Sequence, residues 1–201
     1  MVLFTSNPDI YKNAYPNWQK TFRDYNGFFD LYSEYFKEAA DKLIDSIGAN
    51  RGHIADNIIN PALFLYRHSV ELSLKAILHR IYITSGLDDN KIKEKLEGHG
   101  LESLWAKVNN EIRSKYNFGA DQNEKNELKT IGGLIIELHN TDDSSMTFRY
   151  PFDKRLDEFT YGDGKESFGI DFIHFKSQLD YLHSRLRYWI YYRVSGEWSN
   201  E

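Results

Sequence analysis

The sequence predicts an all-α fold: a bundle of four to five main helices with a long irregular insertion before the C-terminal helix. Apolar residues recur at helical spacing in several long segments, which is the pattern of amphipathic helices. Hydrophobic residues make up 41% of the chain, enough for a core, and only 4 of the 201 residues are proline. A chain of this length fits one domain, so we expect residues 1–201 to fold as one unit.

The first two helices follow an irregular N-terminal segment that we expect over residues 1–24. The first helix is predicted over 28–47, and the run 48–52 ends it, because glycine readily adopts the left-handed conformation that follows a helix. The second is predicted over 58–83, with Pro61 in its first turn, where a missing N–H has no intrahelical partner. Apolar residues cover most of its sides, so we expect it to be the central helix.

The rest of the chain alternates helices with one long connection. Further helices are predicted over 89–97, 101–116, 121–139 and 171–194. Residues 140–170 form a connection rich in Asp, Ser and Gly, and long connections in compact domains are often functional. Within it, 146–151 looks extended and can pair with 158–161 in a small hairpin. The tail 196–201 is expected to fray.

Composition excludes several classes of site. The chain has no cysteine, which rules out disulfides, thiolate zinc sites and cysteine nucleophiles. A net charge of −5 argues against the broad basic face of a duplex-binding protein, but it leaves room for a small basic pocket. Neither a signal peptide nor an apolar stretch near the roughly 18 residues of a membrane span is visible. We therefore expect a cytoplasmic protein that does not enter membranes.

Common catalytic and cofactor motifs are missing from the sequence. The 7 histidines are scattered, with no His-Glu-x-x-His or comparable ligand spacing. There is no Gly-x-x-x-x-Gly-Lys loop, no dinucleotide-binding fingerprint and no Gly-x-Ser-x-Gly elbow. We therefore expect neither a bound metal nor a cofactor.

A polar stripe on the predicted central helix is the main candidate site. Arg67, Glu71 and Lys75 are each four residues apart and stack along one line of the helix, with His68 beside it. Charges on a buried helix are costly unless they are paired, so Glu71 can bridge Arg67 and Lys75 as a structural network. Alternatively, Arg67 and Lys75 face a cleft and hold a phosphate, with Glu71 orienting Arg67 and His68 transferring protons.

Two further candidates lie in connecting segments. His99 sits between two glycines just before a predicted helix, where it is either an ordinary loop histidine or a proton-transfer group. Arg149 is flanked by aromatic residues, including Tyr150, that would dock the connection on the core. Arg149 then either points into a pocket or ties the connection to Glu71 or Glu137.

Two segments carry a resemblance to a known family. Residues 64–76 (FLYRHSVELSLKA), followed by 98–105 (GHGLESLW), resemble HEPN-domain proteins (higher eukaryotes and prokaryotes nucleotide-binding). In these proteins a central helix reads roughly hydrophobic, Arg/Tyr, His, x, x, Glu, x, x, Leu-Lys-Ala, and a later His-x-Leu opens the next helix. Residues 148–151 (FRYP) also resemble a short sequence motif of uncharacterised bacterial members. The likeness covers about 25–195 as a pattern of helices.

The resemblance implies a helical bundle that dimerises through its helices, with a composite site at the two-fold axis. Many family members resemble ribonucleases of toxin–antitoxin or phage-defence systems, which cut RNA without metal through an Arg-x4–6-His motif. No arginine in this chain has a histidine five to seven residues downstream. Either the nuclease motif is lost, or the site is assembled differently, from Arg67, His68, His99 and Arg149.

Three functional hypotheses remain, the first two from this resemblance and the third from the charge pattern alone. The first is a dimeric HEPN-like module that binds RNA, a nucleotide or a protein partner such as an antitoxin, in a prokaryotic defence or toxin–antitoxin system. The second is a divergent metal-independent endoribonuclease. Its catalytic residues would be Arg67, His68 and His99, and its substrate-binding residues Lys75, Arg149, Glu71 and Tyr150. The third is a structural or interaction protein with a buried charge network.

Overall fold

The computed structural model describes residues 8–12, 14, 27–48, 52–143, 145–152, 155 and 169–196. Its elements are a 3-10 turn (Ile10–Lys12), α1 (Phe28–Asp45), α2 (Gly52–Thr84), α3 (Asp89–Lys95), α4 (Leu101–Tyr116), α5 (Gln122–Thr141), α6 (Phe172–Ser184), a π-helical segment (Arg185–Tyr191) and α7 (Tyr192–Ser195). These residues contain no β-strand, so the all-α class is confirmed. No helix among them is both long and apolar enough to cross a membrane.

Helix α2 lies at the centre of the bundle, as its sequence predicts. It packs along α1 and also contacts α3, α4, α6, the π-helical segment and α7. One face of α2 is at most 2% exposed along its length, through Leu63, Tyr66, Val70, Leu74, Ile77 and Ile81. Burial of side chains of this size is the main favourable term that holds such a helix in place.

The start of α2 differs from the prediction. The helix begins at Gly52, so Pro61 lies inside it rather than in its first turn. Proline leaves the carbonyl four residues earlier, on Asn57, without an amide partner. Both Pro61 and Asn57 are solvent-exposed, where water can satisfy that carbonyl. The end of α1 follows the expectation, since Gly48 adopts a φ of +64° just beyond Asp45.

Aspartates fix the starts of three helices. Asp88 accepts a hydrogen bond from the backbone of Lys91 at α3, and Asp121 accepts one from Glu124 at α5. Asp171 accepts two backbone hydrogen bonds at the start of α6. Such side chains satisfy N–H groups that have no partner in the first turn, so each favours a helix at that residue.

The connection after α5 is a compact turn where an extended segment was predicted. Helix α5 continues to Thr141, and one oxygen of Asp142 then accepts from the backbone N–H groups of Met146 and Thr147, at 2.8 and 3.0 Å. The backbone N–H of Arg149 donates to the carbonyl of Met146 at 3.0 Å, which curls the chain. The extended conformation is therefore wrong over 146–149, because the aspartate draws the chain into a turn.

Several sequence predictions fall outside the described residues. They concern the hairpin partner at 158–161, most of the irregular start over 1–24 and the tail from residue 197. At the C-terminus the predicted single helix is helical throughout, but Arg185–Tyr191 adopts the wider π form. Leu186 and Ile190 are fully buried within this segment, which packs on α2.

Candidate functional site

Arg67 is fully buried at the middle of α2, and each of its three guanidinium nitrogens is engaged within the protein. Nη1 donates to Oε2 of Glu71 at 3.2 Å, and Nη2 donates to the backbone carbonyl of His99 at 2.8 Å. Nε donates to the backbone carbonyl of Asp142 at 3.1 Å. A buried guanidinium requires such partners, because an unpaired charge away from water is strongly destabilising.

Glu71 connects three cationic or polar groups. Its Oε2 accepts from Arg67, while its Oε1 lies 3.0 Å from Nζ of Lys75 and 2.8 Å from Nδ1 of His99. Burial by itself would raise the pKa of Glu71, but the hydrogen bonds from Lys75 and His99 outweigh it and hold the pKa below its ordinary value. Glu71 is therefore an ionised carboxylate at neutral pH, and the predicted bridge between Arg67 and Lys75 is present.

Asp142 completes this arrangement, and the sequence did not single it out. It is fully buried, and its Oδ2 lies 3.3 Å from Nε of Arg67 in an ionic contact without hydrogen-bond geometry. Its other oxygen caps the turn at Met146 and Thr147. Asp142 thus ties the turn to α2. We call Arg67, Glu71, Lys75, His99 and Asp142 the polar network.

His99 is the exposed member of the polar network. Its side chain is 70% exposed, although Nδ1 is hydrogen-bonded to the buried Glu71. An ionised carboxylate can only accept, so Nδ1 donates this hydrogen bond and Nε2 lies on the far side of the ring. Gly98 precedes it with a φ of +94°, a backbone conformation that favours glycine. This geometry is suited to proton transfer at the surface.

His68 has a different environment from His99. It is half-buried between two rings: Phe64 stacks on it with a centroid distance of 5.9 Å, and Phe36 meets it edge-on at 4.5 Å. Burial lowers the pKa of His68, and the nearby charges of Lys75 and Arg67 add to the effect while Glu71 opposes it. His68 is therefore neutral at pH 7 and packs as an aromatic ring beside the polar network.

Arg149 and Tyr150 lie on the exposed side of the turn that Asp142 caps. Nε of Arg149 donates to the carbonyl of Ser145 at 2.6 Å, and Nη2 lies 3.2 Å from the sulfur of Met146. The guanidinium carbon is 5.5 Å from the ring centre of Phe64 and 5.7 Å from that of Tyr150. The side chain thus hydrogen-bonds within its own turn and lies over Phe64 of α2, rather than pairing with Glu71 or Glu137.

A cleft of about 600 Å³ adjoins the polar network between α1, α2 and α3. Lys75 lines it, with its side chain 12% exposed. The walls include the apolar side chains of Phe29, Ile83, Ile92 and Leu96. Within the part of the chain that the structure describes, no three His, Asp or Glu side chains are grouped to hold a metal ion.

The structure brings four of the predicted site residues into direct contact: Arg67, Glu71, Lys75 and His99. The other three, His68, Arg149 and Tyr150, lie beside the polar network. His68 and Arg149 both contact Phe64, and Arg149 also contacts Tyr150. Comparison with protein-family models, curated proteins and solved structures gave no significant match. The network joins α2 to two connections, and only its outer member, His99, is largely open to solvent.

Proposed function

We propose that this protein is a HEPN-like helical module that acts as a homodimer and binds RNA or a nucleotide without cleaving it. The binding surface contains His99, Arg149 and Tyr150. The resemblance at 64–76 and 98–105 supports the family, and with it the dimer and a role in a prokaryotic defence or toxin–antitoxin system alongside a protein partner.

The hydrogen bonds that Arg67 makes within the protein favour binding over cleavage. Metal-free RNA cleavage requires a cation that stabilises the pentacovalent phosphate as its charge develops. Arg67 is 0% exposed, and each of its nitrogens already donates to Glu71, His99 or Asp142. A phosphate could reach Arg67 only by displacing partners from a buried charge, which is strongly unfavourable. Arg67 therefore acts as a structural clamp.

The exposed groups around this clamp support a ligand surface. His99, Arg149 and Tyr150 are all solvent-exposed and lie on two connections that Arg67 holds in place. An arginine and aromatic rings together suit recognition of nucleotides, since bases stack on both.

A metal-independent endoribonuclease is the second candidate, and the pairing of His99 with Glu71 favours it. The 2.8 Å hydrogen bond orients the imidazole and leaves Nε2 toward solvent, as a general base requires. In this alternative Arg149 would have to supply the phosphate-stabilising cation in place of Arg67.

One experiment separates the two candidates. Labelled single-stranded RNA is incubated with the protein in EDTA, and binding is followed by fluorescence anisotropy while RNA ends are analysed on gels. We expect binding without cleavage, and Arg149→Ala should weaken it about tenfold, because loss of a direct arginine contact costs about 1–3 kcal/mol. Arg113→Ala is the matched control, since Arg113 is an exposed arginine on α4 whose Nε donates to Asn109, one turn earlier in the same helix.

The outcomes are distinct. Ends bearing 2′,3′-cyclic phosphate that disappear in His99→Ala would establish the nuclease and contradict the proposal. Absence of binding to every RNA and nucleotide at high protein concentration would refute both candidates. Equal weakening by Arg113→Ala and Arg149→Ala would show that binding depends on total charge rather than on this surface.

A further inference from the structure

Four side chains form a layered stack on the surface beside the polar network. Tyr150, Arg149, Phe64 and His68 follow one another, with the Arg149 guanidinium carbon 5.7 Å from the Tyr150 ring centre and 5.5 Å from that of Phe64. Phe64 and His68 are nearly parallel, at 8°, with centroids 5.9 Å apart. We call these four residues the aromatic–cation stack. Phe36 closes its inner end edge-on to His68.

The stack is held in place before any ligand arrives. Arg149 is tied to its own turn by the 2.6 Å hydrogen bond from Nε to the carbonyl of Ser145. The turn is held by Asp142, which accepts from the N–H groups of Met146 and Thr147, and Asp142 is in turn held by Arg67. A surface that is ordered in advance loses less conformational entropy when it binds.

The outer end of the stack is not needed to dock the turn on the core. Phe148 performs that task, since it is only 5% exposed and belongs to the hydrophobic core. Tyr150 is 49% exposed and Phe152 is 44% exposed, so two aromatic side chains of this segment are accessible to solvent. The chain therefore presents exposed aromatic side chains and an exposed arginine on a turn that another side chain already anchors.

An exposed aromatic ring beside an arginine is a platform for unpaired bases. Every base has a π face, so stacking on aromatic rings and arginine tolerates different sequences, and each stacked base contributes about 1–3 kcal/mol. In duplex RNA the faces of the bases are occupied by their neighbours, so such a platform selects single strands. The net charge of −5 argues against a broad basic face, so we expect stacking to supply most of the affinity.

We propose that the aromatic–cation stack binds unpaired bases of single-stranded RNA, with Tyr150 as the outermost stacking ring. This inference rests on the proposed function and names its ligand and its mode of contact. Because few phosphates are neutralised, the affinity should fall only slightly with salt, with a slope of log K against log salt of about −1 to −2 at most.

The test uses fluorescence anisotropy with a labelled ten-nucleotide RNA, the same RNA with abasic residues at its centre, and its duplex. Tyr150→Ala should weaken binding of the single strand about tenfold, whereas Tyr150→Trp should retain it because the indole also stacks. The matched control is Tyr11→Ala, since Tyr11 is a 92% exposed tyrosine in the 3-10 turn. Circular dichroism confirms that each variant is folded.

The stacking inference is supported if the abasic RNA and Tyr150→Ala lose affinity to a similar extent and the duplex binds weakly. It is overturned, while RNA binding itself stands, if the wild type binds RNA but neither the abasic RNA nor Tyr150→Ala changes the affinity. Equal affinity for duplex and single strand, or a steep salt slope, also overturns it. If the wild type binds none of these RNAs, this inference fails, and the proposed function fails with it if no nucleotide binds either.

Discussion

At the scale of single residues, Arg67 illustrates how a charge can be kept inside a helical core. Its guanidinium joins α2 to the connection before α4, through the carbonyl of His99, and to the turn after α5, through Asp142. Glu71, one turn further along α2, supplies the compensating charge. Each partner lowers the cost of desolvating the other, so removing Arg67 takes one cation from Glu71 and leaves the buried Oδ2 of Asp142 without its ionic contact.

We therefore expect Arg67→Ala to lower the free energy of unfolding by about 3–5 kcal/mol, the usual cost of breaking a buried ion pair from one side. Urea denaturation followed by circular dichroism measures it. Arg113→Ala, which removes an exposed arginine, should change the free energy by less than about 0.5 kcal/mol. A loss below about 1 kcal/mol for Arg67→Ala would contradict the structural role of the network.

At the scale of elements, the contact between α4 and α5 depends on a glycine. A Cβ added at Gly132 would lie 2.7 Å from Nε1 of Trp105, whose ring is buried and has no room to move away. The next residue, Gly133, is exposed on the other side of α5, and an added Cβ meets nothing within 4 Å. Two adjacent glycines in one helix thus differ. The close approach of Trp105 requires a glycine at 132, whereas position 133 has space for a side chain.

This difference predicts opposite effects of the same substitution. Gly132→Ala should destabilise the protein by about 1–3 kcal/mol through overpacking against Trp105. Gly133→Ala should stabilise it by about 0.5–1 kcal/mol, since alanine restricts the unfolded chain and favours the helix. Thermal unfolding of the two variants side by side is the measurement. Stabilisation by both substitutions would mean that α4 and α5 are not packed this closely.

At the scale of the whole molecule, a buried polar cluster joins α1, α2 and α6. Oγ of Ser33 lies 2.9 Å from Oγ of Ser73 and 3.3 Å from Nε2 of His183, which is 6% exposed. Burial, together with the charges of Lys37 and Arg187, lowers the pKa of His183 to about 4, although the nearby carboxylates of Asp41 and Asp180 oppose the shift. His183 is therefore neutral wherever the bundle is intact near neutral pH.

The bundle should lose stability as the pH falls from 7 to 5. In this range the unfolded chain protonates His183, with an ordinary pKa of 6.5, while the folded chain does not. Proton binding thus favours the unfolded chain, and the free energy of unfolding should fall by about 2 kcal/mol between pH 7 and pH 5. Urea denaturation at several pH values should show a shallower slope for His183→Gln than for the wild type. Equal slopes would contradict the prediction.

The range from pH 7 to pH 5 separates the effect of His183 on stability from that of the polar network. The pKa of Glu71 is lowered from 4.5, so its contribution is complete above that value and is lost only as the pH falls through the lower, folded pKa. A further loss of stability below pH 4.5 is therefore expected from the Glu71 contacts. His68, whose pKa is also lowered, acts in the same direction as His183, and the His183→Gln comparison separates the two.

Much of the architecture follows from patterns that are local along the chain. The helical period predicted α1 to α6 to within a few residues at most of their ends, because burial of an apolar stripe depends on spacing of three and four residues. The line of Arg67, Glu71 and Lys75 is equally local, since residues four apart are neighbours on any helix. That this chain binds RNA stays a prediction.

The features that the sequence did not reveal depend on contacts between distant residues or on the backbone. Asp142 lies 75 residues from Arg67, and Asp142 and Asp143 follow α5 with no local sign of which one is buried. Arg67 donates to the backbone carbonyl of His99. Because every residue has such a carbonyl, the sequence gives no sign of this contact. The π form at 185–191 and the early start of α2 likewise depend on packing and solvation rather than on spacing.

By itself, the sequence determined that this protein is helical, that 58–83 lies in the central helix and that its charges need partners. The tertiary structure decided which partners they have, and so turned Arg67 from a candidate phosphate ligand into a buried clamp. It also decided that His99, Arg149 and Tyr150 remain exposed. The physical reason is that periodicity reports only whether a side chain faces the core or solvent, whereas pairing of buried charges depends on where the whole chain brings its atoms together.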